Sequence, residues 1–148
     1  MKFLGKLFGY CVSAHDKRLL HDLFDEHPYA ISCIILEESG NPGGKVTLLR
    51  WWKTTTTAFF ERTVSVDVSN SMNAPRDQPS SRFDDLLDAL QNLGIETIGD
   101  LESTIRDGVT YSLVWGSKTE SRHLYIDNPS EGTAHLELIH ELKANTWS

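Results

Sequence analysis

Apolar residues recur at helical spacing in Leu19, Leu20, Leu23 and Phe24, one to two turns after Ser13-Ala14-His15-Asp16. A Ser followed three residues later by an acid is the pattern of a capping box, here with Asp in place of Glu, so a helix is predicted to start there. Pro28 ends it, because the ring disfavours helical backbone in the preceding residue. The stripe is narrow and the opposite side is charged, which suits a helix packed on a sheet.

From Tyr29 to Leu36 nearly every residue is apolar and several are β-branched. Such a run is expected of a central strand covered on both faces. The Gly40-Asn41-Pro42-Gly43-Gly44 cluster is a turn, and Lys45 to Lys53 reads as a second strand. A third strand follows, in which Phe60, Val64, Val66 and Val68 alternate with Glu61, Thr63, Ser65 and Asp67, with Arg62 an exception on the apolar side. Asn70 to Ser81 is polar, holds two prolines and reads as a long surface loop. Ser81 then caps a helix whose inner stripe is Phe83, Leu86, Leu87 and Leu90, ended by Gly94.

Thr97 to Arg106 fits either a short helix or a strand turned through Asp107-Gly108. Val109, Tyr111, Leu113 and Trp115 alternate as a strand, and Arg122 to Asp127 forms another with Leu124 and Ile126 inward. Asn128-Pro129 breaks it, and a last helix runs from about Thr133 with Leu138, Ile139 and Leu142 on one face. Hairpin-linked strands punctuated by helices predict an α+β fold: a mainly antiparallel sheet of about five strands with three or four helices. All 148 residues, 1–148, are read as a single domain.

Composition sharpens the functional side. The net charge of −7 disfavours a broad phosphate-binding surface, so nucleic acid is an unlikely partner. Cys11 and Cys33 make no CxxC pair, and Cys33 sits in an apolar run as a core thiol. Residues 1–14 resemble a signal peptide only in part, since Lys6 interrupts the apolar stretch. No stretch is long enough to span a membrane. A cytoplasmic protein without a membrane role is the resulting expectation.

Most site chemistries find no motif. Gly40 to Lys45 has the wrong glycine spacing for a phosphate loop, and Val46 stands where a Ser or Thr would hold Mg²⁺. His135 and His140 lie five apart on one helix, about 140° round its axis, so their rings diverge where a zinc helix needs them aligned. His15, His21 and His27 are spaced by six and scatter likewise. Asp84, Asp85 and Asp88 read as helix-start charge and a solvated face. The expectation is no catalytic residue, no cofactor and no metal, and a non-enzymatic protein.

One segment stands out: Arg50-Trp51-Trp52-Lys53, four threonines, then Phe59-Phe60-Glu61-Arg62. Read as a hairpin, matching the apolar faces pairs Trp52 with Phe60, Leu48 with Val64 and Val46 with Val66. Trp51 and Phe59 then share the opposite face, and Arg50 sits across from Arg62, which needs an anion or carboxylate between them. If helices cover both faces, every aromatic is core. If not, Trp51 and Phe59 flanked by Arg50 and Arg62 form an exposed binding patch for a protein partner. An alternative use of Arg50 and Arg62 is as a clamp in a domain that binds or hydrolyses a small anionic ligand.

The last third, Asp107-Gly108-Val109-Thr110-Tyr111-Ser112-Leu113-Val114-Trp115, a polar turn, Arg122 to Asp127, Asn128-Pro129 and a helix, resembles the ending of emfourin-type small bacterial protease inhibitors. The resemblance covers the C-terminal half and carries no site residues. It implies a protein-binding inhibitor or immunity-type role, in line with the absence of catalytic motifs.

Overall fold

The computed structural model describes the chain apart from residues 1, 42–43, 67–68, 73–75, 104–107 and 148, and gives backbone alone for 2–13, 41, 66, 69–72 and 76. Its elements run α1 (Lys2–Glu26), β1 (Ser32–Asn41), β2 (Val46–Lys53), β3 (Thr57–Val66), β4 (Ser69–Met72), β5 (Arg76–Pro79), α2 (Ser80–Asn92), β6 (Gly108–Gly116), β7 (Ser121–Asp127) and α3 (Ala134–Ala144). The strands form one antiparallel sheet in the order β4-β3-β2-β1-β6-β7, and β5 also pairs with β3. The fold is α+β. The five long strands are those the sequence pattern predicts, and the two short ones lie in the segment read as a loop.

That loop reading of Asn70 to Ser81 is corrected by the pairing. Backbone hydrogen bonding needs no apolar pattern, so Ser69–Met72 and Arg76–Pro79 both fold back on β3 despite their polar composition. The helix α1 also starts far earlier than Ser13, at Lys2, so Ser13-Ala14-His15-Asp16 lies inside the helix rather than at its start. In α2 the cap position belongs to Pro79 and makes no side-chain bond, so Ser81 is already inside the helix. Proline suits this boundary because its missing N–H would lack a helical partner anyway. Thr133 does cap α3, accepting from the Leu136 N–H.

The ambiguous stretch after α2 is neither a regular helix nor a hairpin strand among its described residues. Leu101 makes an isolated parallel bridge to Ile126. The Asp107 half of the suggested turn lies outside the described residues. Gly108 has φ 148°, and a Cβ there would fall 1.5 Å from Asn128 Oδ1. That oxygen accepts the Val109 N–H at 2.9 Å, tying the open end of β6 to the end of β7.

Helices cover both faces of the sheet. On one face, Phe83, Leu86 and Leu90 of α2 and Leu138, Ile139 and Leu142 of α3 pack on Ile34, Leu36, Leu49, Trp51, Phe60, Leu113 and Trp115. On the other, Leu20, Leu23 and Phe24 of α1 pack on Cys33, Ile35, Trp52 and Val114. Each such side chain taken from water stabilises the fold by about 1.5–3 kcal/mol. Cys33 is a buried free thiol, and burial pushes its pKa up to about 12, which leaves it inert as a nucleophile. No helix among the described residues is long and apolar enough to cross a membrane.

Candidate functional site

The hairpin β2–β3 is present, but one residue out of the register inferred from the apolar pattern. Trp52 pairs with Phe59, Trp51 with Phe60, Arg50 with Glu61 and Leu49 with Arg62. Neighbouring residues in a strand point to opposite faces, so this shift redistributes the whole segment. Trp51 is fully buried with α2 and α3, which corrects its placement on an exposed patch. Its ring centroid lies 5.2 Å from that of Phe60, and its indole N–H donates to the Asn145 carbonyl at 2.8 Å. Trp51 and Phe59 therefore lie on opposite faces of the sheet.

Arg50 and Arg62 separate in the same way. Arg62 shares a face with Leu49 and is exposed. Arg50 is 7% exposed on the α1 side. It donates from Nε to Glu61 Oε1 at 3.1 Å and from its terminal nitrogen to Glu26 Oε2 at 2.7 Å, and it makes a second, short bond to Glu61. Burial works to lower its pKa, but the hydrogen bonds it donates to Glu26 and Glu61 outweigh that and hold it above its usual value. The two arginines therefore do not converge into a clamp. Glu61, placed outward by the alternation, is 5% exposed because it is the partner across from Arg50.

Phe59 reaches a site that Trp51 does not. Trp52 stacks between two rings: His27 at 4.2 Å with 23° between planes, and Phe59 at 5.5 Å with 21°. Beside this stack, between the α1–β1 turn and the β2–β3 hairpin, lies a cavity of about 310 Å³. Glu26, His27, Tyr29, Trp52, Thr54 and Phe59 are among its lining residues. The turn is built by Pro28, by the bond from the Ala30 N–H to the His27 carbonyl, and by the Ile31 N–H donating to the Lys53 carbonyl. It holds Tyr29 86% exposed and Ile31 44% exposed, the large apolar residues most open to solvent among the described residues. The predicted strand start at Tyr29 is thus corrected: β1 begins at Ser32, and Tyr29 and Ile31 before it face water while Ala30 packs against the α1-side core.

Burial, followed by the positive charge of Arg50, lowers the pKa of His27, so its ring is neutral at pH 7. His27 Nε2 is buried and finds no hydrogen-bond partner among the described residues. Of the residues lining this cavity, only Phe59 belonged to the sequence-derived patch. His27 and Trp52 were visible as residue types, and Tyr29 carried a usable signal: a large aromatic directly after the proline that ends a helix.

A second polar cluster lies under α1. Asp16 is 3% exposed, with His123 Nδ1 3.9 Å from its Oδ2, too far for a hydrogen bond. Neither Asp16 Oδ1 nor His123 Nδ1 has a hydrogen-bond partner among the described residues. Burial raises the Asp16 pKa from 3.8 to about 6; His123 and His15 oppose the rise, and Glu37 and Asp100 assist it. His15 itself bonds Glu37 at 2.8 Å. Because the folded pKa exceeds the ordinary value, Asp16 contributes stability fully below 3.8 and loses it as pH rises through about 6. Asp16→Asn is accordingly expected to stabilise the protein by about 1–3 kcal/mol at pH 8 and to give no gain near about pH 4. Urea melts at both pH values check this; an equal effect at both would remove the buried charge as the cause.

Among the described residues no group of three or more His, Cys, Asp or Glu is placed to hold a metal ion. His135 instead pairs its ring Nε2 with the Gly99 carbonyl at 2.9 Å. A scan against protein-family models gives no match, and no curated protein matches the chain.

Proposed function

We propose that this protein is a non-enzymatic binding module that engages a protein partner through the α1–β1 turn and the aromatic cavity beside it. The observation that carries this reading is the exposure of Tyr29 at the cavity where Phe59 and Trp52 stack, with Ile31, two residues on in the same turn, also exposed. Large apolar side chains held in water next to a preformed recess have the composition and shape of a binding hot spot. An inhibitor or immunity-type role is the specific form proposed, in which the captured partner is itself an enzyme or toxin. The anion-binding alternative draws no support from Arg50, whose charge is taken up by Glu26 and Glu61.

The test compares tagged wild type with Tyr29→Ser and Phe59→Ser in pull-downs from native lysate. A stoichiometric protein held by wild type is expected to be lost, or weakened at least about tenfold, in both variants. Tyr29 is exposed and Phe59 half-buried, so melting temperatures should fall by no more than a few degrees for Tyr29→Ser and by several degrees for Phe59→Ser. Equal capture by all three proteins would remove this surface as the interface.

A further inference from the structure

We infer that the cavity beside Phe59 is a receptor for a single cationic side chain, a lysine or arginine presented by a basic partner, an assignment that rests on the protein-binding reading above. Its size limits the occupant. About 310 Å³ is at the lower end of what binding pockets enclose, enough for one long side chain and small for a nucleotide or cofactor. Its walls suit a cation with an aliphatic stem. Trp52 is 2% exposed and already stacked, so Phe59 and Tyr29 supply the accessible ring surface. Ring faces are electron-rich and attract guanidinium and ammonium groups.

The charges around the cavity agree. Glu26 lines it, and its side chain is 53% exposed, leaving part of the carboxylate open to a ligand. Asp77 of β5 lies directly across from Phe59 in the sheet, on the same face, and is exposed. Arg50, whose guanidinium lies 5.7 Å from the Trp52 ring centroid, is outnumbered by its own partners Glu26 and Glu61. Lys53, at the end of β2, is engaged by Asp84 at 2.6 Å. His27 adds no positive charge at pH 7. The chain as a whole, at −7, steers basic partners toward it.

The probe is the isolated protein titrated with N-acetyl-arginine amide, N-acetyl-lysine amide and the uncharged N-acetyl-norleucine amide, followed by backbone and indole N–H resonances. The cationic probes are expected to give saturable shifts confined to residues 26–31, 52–59 and 77, with Kd in the millimolar range usual for so small a ligand. Norleucine should bind at least about fivefold more weakly. Phe59→Ala and Asp77→Asn should each weaken the cationic probes, and Asp77→Asn should also flatten their salt dependence. Asp77 is exposed, so its substitution leaves the fold intact. Equal binding of norleucine would overturn the cation assignment, as would the absence of binding by all three probes. Either result with loss of the captured partner in Tyr29→Ser would sink this inference alone; equal capture by that variant would sink the protein-binding reading first.

Discussion

Arg50→Met is expected to destabilise the protein by about 3–5 kcal/mol, lowering the melting temperature by roughly 10 °C or more. Glu61 is 5% exposed and has Arg50 directly across from it on β2. Glu26 can turn toward water when the guanidinium goes, because its side chain is already half exposed. Glu61 has no such exit, and a carboxylate left buried without its cation is among the costliest single changes in a core. The double variant Arg50→Met, Glu61→Leu removes both charges and fills the space with apolar atoms. It should recover to within about 1 kcal/mol of wild type or surpass it. A double-mutant cycle by urea denaturation measures the difference. If the single variant costs less than about 1 kcal/mol, Arg50 is solvated, and an anion-binding use of it returns to consideration.

The same pair explains why apolar matching predicts the hairpin register one residue out. Apolar matching works where one face of a sheet is buried and the other is wet, since a one-residue slip then exposes the core set. Here α1 covers one face and α2 with α3 the other, so both sets on β2 are apolar: Leu49 and Trp51 on one side, Leu48 and Trp52 on the other. A slip exchanges one apolar set for another and the pattern cannot discriminate. Charge discriminates better. The apolar-matched register sets Arg50 against Arg62, whereas the observed one sets it against Glu61. Facing like charges was the signal that the pairing was wrong by one.

Where only one register or one period was compatible, the pattern was enough. Tyr111, Leu113 and Trp115 do face the α2–α3 layer, as do Leu124 and Ile126. Leu138, Ile139 and Leu142 are buried in α3, and Thr133 is its cap. The pattern failed for β4 and β5, whose polar composition gives no strand signal although their backbones pair with the outer side of β3. It failed also for the candidate site, because a cavity is made by elements meeting in space. Tyr29 and Phe59 lie thirty residues apart and share a recess only because β1 and β2 pair from Ser32↔Lys53 onward, bringing the α1–β1 turn beside the β2–β3 turn.

Apolar matching places Trp51 and Phe59 in one patch, and substitution separates them. Trp51→Ser is expected to cost about 3–5 kcal/mol, the usual range for removing a buried aromatic, with about 1 kcal/mol more for the lost bond to the Asn145 carbonyl. Phe59→Ser, at the half-buried end of the stack, should cost about 1–2 kcal/mol. Loss of that order at Trp51 can abolish folding outright, so Trp51→Phe provides the graded measurement. It keeps a ring against Phe60 while leaving the Asn145 carbonyl without its donor, and about 1–3 kcal/mol is expected. The contrast tests the register directly. In the observed pairing Trp51 faces α2 and α3, and its loss loosens the seam between sheet and helices. In the slipped pairing Trp51 would sit with Phe59, and the two serine variants would behave alike. Comparable, small losses at both positions in thermal and urea melts would place Trp51 on the Phe59 face and overturn the pairing from which the cavity is built.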